Sequence, residues 1–328
     1  ICGSSVATAA TITQVALPEM KRHGYSGRIS TGTLAAGGTL GILIPPSVPL
    51  VIYALLTQQN IAKLFLAAFI PAALAVTGFM IAIRVYVTLN PTAGPATPKA
   101  PFASRLKDMI DTWPVMMIFL VVFVGMNGDF FVGRSLFTPT EGAIAACVWA
   151  MVLGLFWYRT LSWRMFVKVC LDTVETTATV MFIVAAASIF GWMLTATGVT
   201  AAIADWVLAF TKEPWLFLLL ANVLMLFVGC FLEPTAAITI LVPILLPIVL
   251  KLGINPVHFG LVMVLNLMIG LLHPPMGMVL FVLARVAKLS VERTTAAILP
   301  WLVPLLLSLA ILTYIPSISL WLPKYMGM

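Results

Sequence analysis

Gly41-Ile-Leu-Ile-Pro45-Pro46 and Gly270-Leu-Leu-His-Pro274-Pro275 are two breaks of one kind, 229 residues apart, each set inside a long apolar run. A Pro-Pro pair stops a helix, because two backbone donors are missing and the rings clash with the preceding turn. In hydrocarbon the carbonyls so freed are tolerated only where they are buried in protein or line a polar cavity. The same offset superimposes Ala7 on Ala236, Leu17-Pro18 on Leu246-Pro247, Gly24 on Gly253 and Leu43 on Leu272 without a gap. The chain therefore contains an internal repeat built around two interrupted helices.

Composition sets the environment. Of the 328 residues, 62% are hydrophobic and only 9% charged, against roughly 25% charged in a soluble domain. Several stretches exceed the roughly 18 apolar residues that span a bilayer, so the chain reads as an all-α polytopic membrane protein. In that setting a net charge of +7 marks cytoplasmic loops rather than a nucleic-acid partner. Cys2, Cys147, Cys170 and Cys230 lie in or beside apolar runs without CxxC spacing and read as small lipid-buried hydrophobes. His23, His258 and His273 are scattered, and no metal-ligand cluster is visible. The opening Ile-Cys-Gly-Ser-Ser reads as the middle of a motif, which predicts an internal start with membrane segments upstream.

Four regions follow from the pattern. Residues 1–60 hold the first hairpin and broken helix, and 61–195 hold scaffold helices and a Pro/Thr/Ala-rich linker. Residues 196–285 hold an interfacial segment, the second hairpin and the second broken helix, and 286–328 a last span and tail. Residues 1–20 and 215–250 are too interrupted for plain spans and predict re-entrant hairpins with arms about half a bilayer long. Threading the chain this way puts thirteen Lys and Arg on one side, among them Arg22, Arg28, Arg84, Arg285 and Arg293, and five on the other. That split fits the positive-inside rule and makes the two repeats inverted.

Interrupted segments at corresponding places in two repeats point to the midplane site of a secondary transporter. Each break leaves carbonyls of one half-helix and amides of the next unsatisfied; the former suit a hard cation such as Na+, the latter an anion. Ser4, Ser5, Thr8 and Thr11 on the first hairpin, and Thr235 and Thr239 on the second, add uncharged oxygens. Ser4 and Ser5 read as site residues, Thr11 and Thr239 as satisfying helix carbonyls. Glu233 is the one carboxylate in a deeply apolar stretch, serving either a bound cation or as the cap of the helix behind it. His273 and Asn266 are ligands or plain hydrogen-bond partners. No nucleophile–base–orienter set and no phosphate loop is present, so the chain reads as neither an enzyme nor an ATP-driven pump. Polarity gathered at two tips and two breaks also disfavours a channel, which lines continuous helices with it.

Several stretches together resemble one family: Gly3-Ser-Ser-Val-Ala-Thr-Ala-Ala-Thr11, Val15-Ala-Leu-Pro-Glu-Met20, Ala36-Gly-Gly-Thr-Leu-Gly-Ile-Leu-Ile-Pro-Pro-Ser47, Phe137-Thr-Pro-Thr-Glu-Gly-Ala143, Gly270-Leu-Leu-His-Pro-Pro-Met-Gly277 and Tyr314-Ile-Pro-Ser-Ile-Ser-Leu-Trp-Leu-Pro323. They are similar to the large membrane subunit of tripartite ATP-independent periplasmic transporters. The resemblance implies an elevator-type, sodium-coupled importer of organic acids such as sialic acid or C4-dicarboxylates, in the bacterial inner membrane. It implies two partners, a small membrane subunit and a periplasmic substrate-binding protein. Carried over, a first sodium site draws on Ser4, Ser5, Gly41 and Pro45, and a second on Glu233, Thr235, Gly270, His273 and Met276. The organic anion is expected against Thr8, Pro46, Ser47 and Pro275. A single-component dicarboxylate carrier of the same inverted-hairpin architecture is the alternative.

Overall fold

The computed structural model describes residues 5–95, 101–126, 137–274 and 276–327. Among them every regular element is helical. In order these are α1 (Ser5–Arg22), α2 (Gly27–Thr39), α3 (Val48–Thr57), α4 (Ile61–Leu89), α5 (Phe102–Met126) and α6 (Pro139–Val152). There follow α7 (Trp163–Ala196), α8 (Val199–Phe210), α9 (Pro214–Phe231), α10 (Pro234–Lys251), α11 (Pro256–Gly270), α12 (Met278–Ala287), α13 (Val291–Tyr314) and α14 (Ser317–Tyr325). Helices α4, α7, α9, α10 and α13, and α6 with its extension to Trp157, are long and apolar enough to cross a membrane. The chain is a multi-pass helical membrane protein.

Two compact units emerge, residues 96–182 and the remainder. In the smaller, Thr138 and Glu141 close a capping box at the start of α6, and the Trp149 indole donates to the Pro114 carbonyl of α5 at 2.8 Å. The larger unit holds both breaks. It also holds α4, which packs on α13, α14 and α11.

Within the larger unit α1–α4 recur as α10–α13. The helix starts of α1 and α10, and of α2 and α11, are 229 residues apart, and the turns between them use Gly24 (φ 79°) and Gly253 (φ 70°). Beyond the breaks the spacing becomes 230, for α3 against α12 and α4 against α13. The ungapped offset therefore ends at the prolines, and the second break carries one extra residue. Packing follows the same two-fold scheme: α1 on α2 and α12, α10 on α11 and α3; α2 on α13, α11 on α4. Each hairpin arm thus rests on its own broken helix and on the far half of the other. Leu17, Leu34 and Ala287 form one such buried seam.

The inversion is visible in three contacts. Ser26, at the start of α2, donates its amide to Ala93, just past the end of α4 (2.9 Å). Arg28 of α2 and Arg293 of α13 line one cavity, which places the start of α13 at that same end. Tyr53, near the end of α3, donates its hydroxyl to Pro256 at the start of α11 (2.6 Å). So α2 and α11 begin at opposite ends of the unit, and hairpin arms α1 and α10 open from opposite ends.

The arms are longer than the half-bilayer expected. At 18 residues each, α1, α9 and α10 rise about 27 Å, because Pro18, Pro243 and Pro247 sit inside helix without ending it. Helix α11 packs against both α9 and α10 and is buried from Val257 to Gly270, as a helix apolar on every face must be. Close approach of arm and broken helix depends on small residues. A methyl at Gly38 would sit 2.7 Å from the Ala9 Cα, whereas one at the exposed Gly37 meets nothing within 4 Å. Gly38→Ala is therefore expected to cost about 1–3 kcal/mol of stability, and Gly37→Ala none. Melting of both variants in detergent checks the pair; equal midpoints would refute this account of the α1–α2 contact.

Candidate functional site

The first break is a 3-10 turn, Leu40–Ile42, followed by an irregular run to Ser47. Leu43 and Ile44 both donate to the Leu40 carbonyl (3.0 and 3.1 Å). Pro45 and Pro46 supply no donors, so among the described residues no donor reaches the carbonyls of Gly41, Leu43, Ile44 or Pro45. Ser47 holds the gap: its buried hydroxyl donates to the Ile42 carbonyl and accepts from the Leu50 amide at 3.4 Å, capping α3. Across from the turn stands Thr8 of α1. A methyl at Gly41 would lie 3.5 Å from the Thr8 hydroxyl oxygen. Thr8, Gly41, Pro45 and Ser47 are thus neighbours or share one turn, with Pro45 and Ser47 buried and Pro46 exposed.

Ser4 and Pro275 lie outside the described residues, and Ser5 opens α1. Thr239 donates to the Ala236 carbonyl (2.8 Å), the role expected of it, while Thr11 is exposed.

The second break closes more fully. His273 donates its amide to Gly270 (3.1 Å), Gly277 to His273 (3.2 Å), and Val279 reaches back across the gap to Leu271 (3.2 Å). Gly277 is required there, since a methyl would meet the Leu271 carbonyl oxygen at 2.4 Å. The facing tip is the link Leu232–Glu233 between α9 and α10. Glu233 occupies the N-cap position of α10 without a side-chain bond to the backbone; its exposed carboxylate instead accepts from the buried Thr235 hydroxyl. Met276 is half exposed at 50%.

Tip and break are joined by two contacts that the sequence did not single out. Gly270 lies directly on Gly229, backbone to backbone: a methyl at 270 would sit 2.6 Å from the Gly229 carbonyl carbon. One residue on, the buried Cys230 thiol stands 3.6 Å from His273 Nδ1 and 3.9 Å from the Pro274 carbonyl. Cys230 is therefore part of the break's surroundings and not a lipid-facing filler, unlike Cys147 and Cys170, which are exposed. The one sequence signal was its position in the last turn before Glu233.

Asn266 resolves to an interhelical bond. Its amide donates to both the side-chain and backbone oxygens of Asn222 (2.7 and 3.0 Å), and Asn222 donates to Thr313 (3.0 Å), tying α9, α11 and α13 together.

Fold and site define a repeat-built membrane protein in which two inverted broken helices each pack against a hairpin arm. The description "Tripartite ATP-independent periplasmic transporter, DctM component" matches residues 1–318, and the chain belongs to that family. It is 39% identical over its whole length to a C4-dicarboxylate TRAP transporter large permease of Pseudomonas aeruginosa, covering 75% of that protein. It is 37% identical to the sialic acid large permease of Vibrio cholerae, over 98% of this chain and 74% of the relative. An isethionate permease protein, DctMQ, of Oleidesulfovibrio alaskensis is 36% identical over 98% of this chain and 49% of the relative. These relatives are permeases, and no enzyme family is indicated.

The two breaks should respond differently to a methyl group. Gly41→Ala makes ordinary contacts of 3.5–3.9 Å with Thr8, whereas Gly270→Ala drives into the Gly229 backbone. Gly41→Ala is expected to melt like the parent, and Gly270→Ala to lose about 1–3 kcal/mol. A chemical-denaturation or thermal series in detergent reads the difference.

Proposed function

We propose that this chain is the transport subunit of a sodium-coupled importer of organic acids in a bacterial inner membrane. The observation that carries the proposal is the first break: four carbonyls with no donor from the described residues, beside the Thr8 hydroxyl. Oxygen-only surroundings suit a hard cation, and in lipid such carbonyls persist only when something polar meets them. Ser4, Ser5, Gly41 and Pro45 are the proposed first sodium site. Glu233, Thr235, Gly270, His273 and Met276 are the second, where Glu233 adds a formal negative charge that the first lacks. Thr8, Pro46, Ser47 and Pro275 are proposed to meet the substrate, with Ser47 acting by shaping the turn.

The named relatives handle a C4-dicarboxylate, a sialic acid and isethionate. A sulfonate among them widens the proposed class from carboxylates to small organic anions. The end bearing Arg28 and Arg293 is proposed as cytoplasmic, following the excess of Lys and Arg there. A small membrane subunit and a periplasmic binding protein complete the assembly. Reciprocal packing of the repeats supports an elevator motion in which both hairpins and both broken helices move as one body.

The test is uptake into proteoliposomes holding this chain with its small subunit, fed by the binding protein. Uptake is expected only with external Na+, rising with an inside-negative potential. Two Na+ with one monovalent anion carry one net charge, worth about 2.3 kcal/mol per 100 mV. Ser5→Ala, in the proposed first sodium site, should raise the half-saturating Na+ concentration roughly tenfold, about 1.4 kcal/mol. Equal uptake in K+ or choline at constant pH would overturn sodium coupling, and uptake indifferent to the binding protein would favour a single-component carrier.

A further inference from the structure

A cavity of about 490 Å³ lies between the starts of α2 and α13, lined by Gly27, Arg28, Leu289, Glu292, Arg293 and Ala297. It is remote from the breaks. From Arg28 to Thr39, where α2 ends, is about 16 Å of helix rise, and the whole of α12 separates Leu289 from the second break. Arg28 and Arg293 are exposed, and neither joins an ion pair among the described residues. Glu292, the acid in the lining, is turned to its own helix start, where it bonds its own amide and the Ser290 hydroxyl. The cavity therefore keeps two guanidiniums without carboxylate partners. Backbone adds to them. Ser26 and Ser290 cap the two helices by accepting from the Ile29 and Arg293 amides, but among the described residues no acceptor meets the Gly27 or Arg28 amide. The space at Gly27 is open, since a methyl there would meet nothing within 4 Å.

The two-fold plan of the unit supplies an internal control. At the opposite end the same offsets place Asn255, Pro256 and Val257 where Ser26, Gly27 and Arg28 stand. They place Asn60, Ala62 and Lys63 where Ser290, Glu292 and Arg293 stand. The caps are kept, for Asn255 and Asn60 each accept from the first turn of their helix. The anion-binding parts are not: proline removes the amide that Gly27 offers, and valine removes the charge of Arg28. The fold thus needs a cap at these positions and does not need the glycine–arginine pair. Positive charge kept on this side for topology could sit anywhere in the loops. It does not require two guanidiniums to share one cavity with open amides.

We propose that this cavity binds a phosphate group, clamped by the Arg28 and Arg293 guanidiniums with the Gly27 and Arg28 amides as further donors. A guanidinium is a planar fork that takes two oxygens at once. A carboxylate is filled by one such fork, whereas a phosphate has oxygens for two and for amides at a helix start as well. Two sources supply the group at a membrane surface, a soluble phosphate compound or a phospholipid headgroup. The site is separate from the proposed ion and substrate sites and does not depend on what the chain transports.

Inorganic phosphate is titrated into the detergent-purified chain at constant ionic strength, followed by calorimetry and by melting, with acetate as the comparison. Phosphate is expected to bind once per chain and to raise the melting point; acetate is not. Gly27→Pro combined with Arg28→Val writes in the residues of the opposite end, and proline is at home in the first turn of a helix. This variant should lose phosphate binding with its phosphate-free melting point unchanged. Arg293→Gln should weaken binding roughly tenfold, the size of one charge-assisted hydrogen bond, and serves alone if the double variant fails to fold. In a second arm, native mass spectrometry follows phosphatidylglycerol on the parent and the variants. Retention that the variants lose makes the source a lipid headgroup; phosphate binding without such retention makes it a soluble compound. The proposal fails if neither phosphate nor phosphatidylglycerol binds, if acetate does as well as phosphate, or if the variants bind undiminished.

Discussion

A helix that breaks inside a membrane must find protein for the backbone groups it frees, since lipid offers neither donor nor acceptor. Most of the larger unit follows from that requirement applied twice. Ser47 bonds Ile42 and Leu50 together across the first gap, and Val279 bonds Leu271 across the second. The hairpin arms cover what is left, and they come close enough only because Gly38 meets Ala9 and Gly270 meets Gly229 without side chains between them. Dispersion contacts of this kind, rather than a hydrophobic drive, hold helices together in lipid. The Asn222–Asn266–Thr313 chain adds directional bonds where α9, α11 and α13 converge.

The repeats share a plan and differ in chemistry. The first break has four carbonyls without a donor among the described residues and no charge nearby in the sequence; the second has one extra residue, an internally bonded turn, a carboxylate on Thr235 and a thiol against an imidazole. Duplication and divergence explain this economically. The two-fold packing constrains backbone paths, which both copies keep, while the side chains at each gap are free to specialise. Glu233 is informative here, because at an exposed tip a carboxylate is tolerated with only the Thr235 hydroxyl as its partner among the described residues.

Much of the architecture was legible in the sequence because it is written in residues with stiff backbone rules. Paired prolines located the breaks, and the 229-residue offset matched Gly24 with Gly253, which the structure puts at corresponding turns. Inversion was legible through Lys and Arg alone. The arm lengths were misjudged because proline inside a membrane helix bends it more often than it ends it, and Pro18, Pro243 and Pro247 were read as interruptions. The one-residue register change was hidden, since it falls after the matching prolines in a segment with no side-chain pattern. Gly229 and Cys230 escaped notice for a different reason. Their roles depend on which helix lies opposite, and that is a property of the packing rather than of the local chain.

Reciprocal packing also limits how the site can move. Arm α1 rests on α12 of the other repeat and α10 on α3, so each hairpin is seated half on its own broken helix and half on its partner's. Displacing either hairpin alone would open two interfaces at once and expose backbone at both gaps, which lipid cannot repair. Sliding both repeats together breaks neither. The same contacts that let a broken helix exist in a membrane therefore bind the two gaps into one mechanical body.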